Sequence, residues 1–146
     1  MFRGLFEHTV DPKGRLSIPS KFREALAIPE STPLILTRLD HCLAAYPLKQ
    51  WRTLEQKLNE MPQMRKEVKR FQRFFVSGAI ECSPDRQGRI LIPPLLRRFA
   101  GLQKDVVLAG MLTRFEIWAK DRWEEEIERS RIDFDQISAT LAELGL

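Results

Sequence analysis

One five-residue pattern occurs twice in this chain, and nothing else in the sequence limits the fold as strongly. Asp11-Pro12-Lys13-Gly14-Arg15 lies near the start and Asp85-Arg86-Gln87-Gly88-Arg89 in the second half, both of the form D-x-x-G-R. The repeat extends beyond the pattern. At an offset of 74 residues, Ile18/Ile92, Pro19/Pro93 and Arg23/Arg97 are identical, while Leu16/Ile90 and Phe22/Leu96 are conservative. At an offset of 72, Leu36/Leu108, Tyr46/Trp118 and Trp51/Trp123 align, the change marking a two-residue deletion in a loop. Such agreement points to two copies of one β-rich unit.

The pattern itself is turn chemistry. Asp at the first position, Pro at the second and Gly at the fourth are the preferences of a type I turn, and Gly14 can adopt the left-handed backbone that closes a hairpin with a bulge. Alternating β-formers before it (Leu5 to Val10) and after it (Leu16, Ile18) predict flanking strands. Pro19 then pre-sets a helix that buries Phe22, Leu26 and Ala25. Further strands are expected at 34–37 and 43–46, and Pro47 opens a helix with Leu48, Trp51, Leu54 and Leu58 at helical spacing. A second helical stretch places Met64, Val68, Phe71 and Phe75 on one face and Arg65, Lys66, Lys69, Arg70 and Arg73 on the other. That basic face has an ordinary reading as the solvated side of a helix covering a sheet. From residue 76 the order repeats: strand 76–82, motif turn, strand around Ile90 and Ile92, a helix opened by Pro93, strands 106–109 and 115–118, and a helix from about Lys120.

With 146 residues, 43% of them hydrophobic, the chain can bury a core. It has no apolar run of the roughly 18 residues a membrane span needs and no apolar stretch of the signal-peptide kind near Met1, so a soluble cytoplasmic protein is expected. Cys42 and Cys82 are the only cysteines, far apart in sequence, which fits a reducing compartment better than a disulfide framework. The formal net charge of +4 conceals an asymmetry: residues 121–146 hold eight acids and three bases, and the rest of the chain 21 bases and 12 acids. A basic body with an acidic tail suits a polyanionic partner, although solvated surface charge produces the same count. The tail, residues 133–146, is amphipathic through Phe134, Ile137, Leu141 and Leu144, a pattern that suits docking on the body or on a neighbouring subunit and equally suits a terminus that frays.

Catalytic readings fare poorly. A duplicated Asp suggests a carboxylate pair sharing a proton, but the basic residues beside Asp11 and Asp85 would keep both ionised, and the small residues of the aspartic-protease pattern are missing. With His8 and His41 as the only histidines, no Ser/His/Asp set is evident, and there is no glycine-rich phosphate loop. Cys42, Cys82, His8 and His41 match no metal module by spacing, so neither metal nor cofactor is expected. Nucleic-acid binding is supported by the turn. A hairpin tip would project Lys13 and Arg15 outward while Asp11 and Gly14 build its shape, and Asp85 and Gly88 would do the same for Arg86 and Arg89. An arginine fork suits the O6/N7 edge of guanine, and lysine suits phosphate. The competing reading makes Arg15 and Arg89 structural ion-pair partners of the aspartates.

The opening Met1-Phe2-Arg3-Gly4, the run from Asp11 to Pro19 with Phe22-Arg23, Tyr46-Pro47-Leu48 with Trp51, the run from Asp85 to Ile92 with Leu96-Arg97, and Phe115-Glu116-Ile117-Trp118 together resemble the MraZ family. The match covers residues 1 to about 125 in order and spacing. The resemblance implies an α+β, β-rich fold of two tandem AbrB-like swapped-hairpin units with flanking helices and a pseudo-twofold relation, assembled into closed rings. It also implies a bacterial transcriptional regulator, a repressor by our reading, that binds G-rich direct repeats in double-stranded promoter DNA ahead of the division and cell-wall gene cluster. Localisation would then be cytoplasmic and nucleoid-associated.

The expected organisation is a first repeat at 1–52, a helical connector at 53–75, a second repeat at 76–124 and an acidic helical tail at 125–146. Expected DNA contacts are Arg15, Lys13, Arg86 and Arg89, with Arg3 of the opening segment; expected turn-builders are Asp11, Gly14, Asp85 and Gly88. The alternatives are an RNA-binding or antitoxin-like module of the same fold, and a structural ring scaffold.

Overall fold

The computed structural model describes residues 1–26 and 33–146. Among the described residues eight strands form in chain order: β1 (Leu5–Thr9), β2 (Arg15–Ser17), β3 (Leu34–Arg38), β4 (Leu43–Pro47), β5 (Ile80–Cys82), β6 (Arg89–Leu91), β7 (Asp105–Gly110) and β8 (Phe115–Ala119). Helices α1 (Ser20–Leu26), α2 (Leu48–Asn59), α3 (Lys66–Phe71), α4 (Pro94–Ala100), α5 (Lys120–Ile132) and α6 (Phe134–Glu143) lie between and after them. Offset alignment makes β1 to β4 the counterparts of β5 to β8.

The strands pair across copies more than within them. Six form an antiparallel sheet in the order β1-β7-β8-β4-β3-β5, and the remaining two, β2 and β6, form a separate antiparallel ribbon. Exchanging each strand for its counterpart reproduces the six-strand order in reverse. β1 and β2, expected to form a hairpin around the first turn, therefore part company: β1 runs along β7 and β2 along β6. The hairpin closes only at its tip, where Asp11 N–H donates to the Arg15 carbonyl at 3.0 Å. Separation lets each copy lay one strand on its sibling, burying apolar surface that a lone hairpin would leave wet.

Both faces of the sheet are covered, which explains the continuous buried runs of β3, β4, β7 and β8. Leu34, Leu36, Leu43, Ala45, Val106, Leu108, Phe115 and Ile117 face the main core beneath the ribbon, α1 and α4. The alternate residues Ile35, Ala44 and Tyr46 meet Trp51 and Phe75 on the other side, and Val107 and Trp118 pack there with Cys42 and Trp123. The copies anchor their following helices alike: Tyr46 packs on Trp51 with ring centroids 5.7 Å apart, and Trp118 on Trp123 at 5.6 Å.

Further expectations need correction. The strand anticipated from residue 76 begins at Ile80, because Gln72–Val76 is a single π-helical turn and Ala79 N–H bonds back to the Val76 carbonyl. The π turn carries Phe75 into the core and leaves the Phe74 carbonyl facing Arg38 Nε at 2.6 Å, with the guanidinium also 4.9 Å from the Phe74 ring. Of the apolar face expected on the second helical stretch, only Phe75 is fully buried; Met64 precedes α3 and is 82% exposed. In the tail, α5 and α6 bury no residue, and Phe134, Ile137 and Leu141 all remain exposed. Among the described residues, no helix is long and apolar enough to cross a membrane.

Phe22 is the centre of the main core, touching Phe2, Phe6 and Phe115 with centroid separations of 5.5, 5.0 and 5.0 Å. Phe22→Ala is expected to cost about 3–5 kcal/mol in chemical denaturation, because strands from both copies close round that ring and cannot collapse onto the cavity.

Candidate nucleic-acid interface

Each D-x-x-G-R turn is held by its own aspartate. Asp11 Oδ1 accepts from Lys13 N–H at 2.9 Å and Arg15 N–H at 2.8 Å, while Oδ2 receives Arg15 Nε at 2.6 Å. Asp85 repeats the set with Gln87 N–H, Arg89 N–H and Arg89 Nε, all at 2.9 Å. Gly14 and Gly88 donate their N–H groups to the carbonyls of Asp11 and Asp85, both at 2.9 Å, with φ of 87° and 75°. This is the type I turn with a left-handed glycine that the residue types predict.

The ion-pair reading of the arginines is realised, and it leaves room for another role. Only Nε is committed to the aspartate; among the described residues no hydrogen-bond partner holds the terminal amines of Arg15 or Arg89. The Arg15 side chain is 36% exposed and that of Arg89 29%. A guanidinium anchored at Nε with free terminal amines is aimed in advance, so less side-chain entropy is lost when it meets a planar acceptor pair.

The tertiary structure then brings the two turns together. In the ribbon Arg15 pairs with Leu91, Leu16 with Ile90, and Ser17 with Arg89. The ladder continues into the turns, with Ile92 N–H donating to the Gly14 carbonyl and Ile18 N–H to the Gly88 carbonyl, both at 2.9 Å. The turns thus sit at opposite ends of one ribbon, roughly 13 Å apart at the usual strand rise. Leu16 and Ile90 point into the core at 0% and 1% exposure, so alternation sends Arg15, Ser17, Arg89 and Leu91 outward together. His8 Nδ1 donates to the Ser17 carbonyl at 2.7 Å, and at the equivalent place in the other copy Cys82 Sγ reaches the Leu91 carbonyl at 3.6 Å. These bonds tie β1 and β5 to the ribbon. Burial raises the Cys82 thiol to about 11, so it stays protonated at neutral pH.

Lys13, Arg86 and Gln87 are exposed at the turn tips. Arg3 precedes β1, and its backbone lies against Gly110 at the end of β7. Two arginines that the sequence marks only as repeated identities belong to the site. A Cβ on Gly14 would lie 2.8 Å from the Arg97 guanidinium carbon, and one on Gly88 2.7 Å from Arg23 Nη1. Each turn is therefore roofed by an arginine from the helix of the other copy, and Arg97 Nε also donates to the Ile92 carbonyl at 2.9 Å. Their identity at the same offset is the signal that could have found them.

The sequence profile of the MraZ protein family, antitoxin-like by its description, matches residues 1–74 and again 75–144, one D-x-x-G-R turn in each match. The chain belongs to the MraZ family. Proteins named transcriptional regulator MraZ are similar along their whole length: that of Pediococcus pentosaceus is 49% identical over 146 residues with 100% of both chains covered. That of Pelotomaculum thermopropionicum is 48% identical over 147 residues, covering 100% of this chain and 99% of the other. That of Clostridium tetani is 49% identical over 147 residues, with both chains covered in full. A solution structure from Pyrococcus horikoshii, 17% identical with a TM-score of 0.34, overlaps 75% of this chain and 94% of its own and adds nothing to the assignment. In this MraZ chain each of the two matches contains one copy of the repeated turn.

The Asp11 and Asp85 carboxyls are held below the ordinary 3.8 chiefly by the backbone N–H of Arg15 and of Arg89 respectively; desolvation, the next largest influence, opposes this, and the arginine side chains and the second turn N–H add to the lowering. A depressed folded value means that the turns' contribution to stability is complete above the unfolded carboxylate range and is lost as pH falls through the folded value. Carboxyl-carbon NMR titration should place both midpoints below 3.8, and Arg15→Ala should move the Asp11 midpoint upward while leaving that of Asp85 in place.

Proposed function

We infer that this chain is a sequence-specific DNA-binding transcriptional regulator, a non-enzymatic repressor of the bacterial division and cell-wall gene cluster that acts through G-rich direct repeats in the promoter. The observation that carries this reading is the ribbon, which puts two aspartate-anchored arginines on one outward face with a basic turn at each end. A two-stranded ribbon fits the major groove of B-DNA, where an arginine fork can meet guanine O6 and N7. Full-length similarity to proteins named transcriptional regulators supports the same direction.

In this reading Arg15 is the first reader and Lys13 its phosphate contact, with Arg89 and Arg86 in the equivalent roles at the other end. Pro12 stiffens the first turn and sets Lys13 at its tip, where the second turn has Gln87, so the first turn leads. Arg3, ahead of β1, would make a separate contact with the DNA backbone. The two units are AbrB-like swapped hairpins related by a pseudo-twofold axis, a reading supported by the reciprocal strand pairing. Repeats at 1–52 and 76–124, a connector at 53–75 and a tail at 125–146 are the corresponding units. Copies assemble into a closed ring, so that weak contacts from several subunits add on direct repeats; the uncovered apolar side of α6 supports association. The protein would work in the cytoplasm at the nucleoid.

Arg15→Ala is expected to cost about 1–3 kcal/mol per engaged site and to relax base preference, whereas Lys13→Ala should weaken all sequences alike and lower the salt slope by about one. Gel-shift titration of promoter DNA against RNA of the same sequence measures both effects. Unchanged DNA binding by folded Arg15→Ala protein, or preference for the RNA, would overturn the assignment.

A further inference from the structure

The outward face of the ribbon holds three polar side chains and one that is not. Leu91 is 58% exposed, stands directly across the ribbon from Arg15, and is two residues along β6 from Arg89. Its counterpart in the first copy is Ser17. The inward alternative is closed, because Ile90 and Ile92 on either side are buried at 1% and 0% and a one-residue slip would expose both. Cross-strand neighbours in an antiparallel pair have Cβ atoms about 4.5–5.5 Å apart, so a groove that admits the Arg15 guanidinium also receives Leu91. Of the groups lining the major groove, the C5-methyl of thymine is the apolar one.

We propose that Leu91 is a specificity-determining residue that packs on a thymine methyl beside the base pair reached by Arg15. The inference rests on the DNA-binding reading above and adds to it a chemical asymmetry: one half of the ribbon face presents a hydroxyl, from Ser17, and the other an aliphatic contact. Each chain would then prefer a thymine on one side only of its guanine contact, which orients it on the DNA. Direct repeats, in which every site points the same way, are suited to an oriented reader.

The test compares the direct-repeat promoter fragment of the proposed target cluster made with thymine against the same fragment made with deoxyuridine, which differs only in lacking the methyl. The wild-type protein should bind the uracil fragment about fourfold or more weakly, the loss expected for one contacted methyl. Leu91→Ser, which copies the first-copy residue and leaves the core untouched, should bind both fragments equally and with the wild-type salt slope. Wild-type protein that binds tightly without distinguishing the fragments, or a Leu91→Ser protein that distinguishes them as well as wild type, would overturn the role of Leu91 and leave the DNA-binding reading standing. Wild-type protein that binds neither fragment would overturn both.

Discussion

The structure depends on the pairing of β2 with β6. These two three-residue strands are too short to stand alone, yet they lie across the copies and are extended at both ends by hydrogen bonds to the turn glycines. What holds them is the burial of Leu16 and Ile90, with Ile18 and Ile92, against the aromatic centre built from Phe2, Phe22 and Phe115. That burial sets the register, and the register decides which side chains face outward. A half chain would lack both the partner strand for its ribbon and the sibling strand that covers its sheet edge, so the copies fold as one body.

The same arrangement gives each arginine two duties that do not compete. Charge pairing with an exposed aspartate would contribute little by itself. Here the aspartate first organises the turn by accepting backbone N–H groups, and its remaining oxygen takes only Nε of the arginine. The turn thereby acquires a fixed shape and presents the terminal amines in a fixed direction. Arg23 and Arg97, each lying over the glycine of the other copy's turn, bind the shape of one turn to the helix of its sibling. A substitution of either roofing arginine is therefore felt at the turn of the other half.

The copies have diverged where the fold leaves them free. α2 is held by Trp51 and Leu58 and is backed by the π turn with Phe75, whereas α5 begins on Trp123 and continues into solvent with α6. At the turns the divergence is confined to the two middle residues, Pro12-Lys13 against Arg86-Gln87, because the aspartate, glycine and arginine positions are fixed by hydrogen bonds and backbone conformation. Position 91 differs from its counterpart 17 for the same reason: facing outward, it is free of packing constraints.

Much of this was legible in the sequence. Local chemistry determined the turns, since Asp, Pro and Gly at those spacings act within five residues, and strand alternation, proline-opened helices and the repeat offset located nearly every element. The π turn escaped because its cause is distant: the need to bury Phe75 while presenting the Phe74 carbonyl to Arg38. Local pattern also missed the partners of β1 and β2, because a hairpin and an exchanged pair share the same local pattern and differ only in how much apolar surface a second copy can cover. The site followed that choice. The sequence by itself determined two separate basic turns, each with an aspartate and an arginine; only the tertiary structure decided that they share one ribbon, that Arg23 and Arg97 roof the opposite turns, and that Leu91 lies outward between the arginines. The reason is physical: turn conformation is set by residues in covalent succession, whereas the face a side chain takes is set by what its strand is buried against.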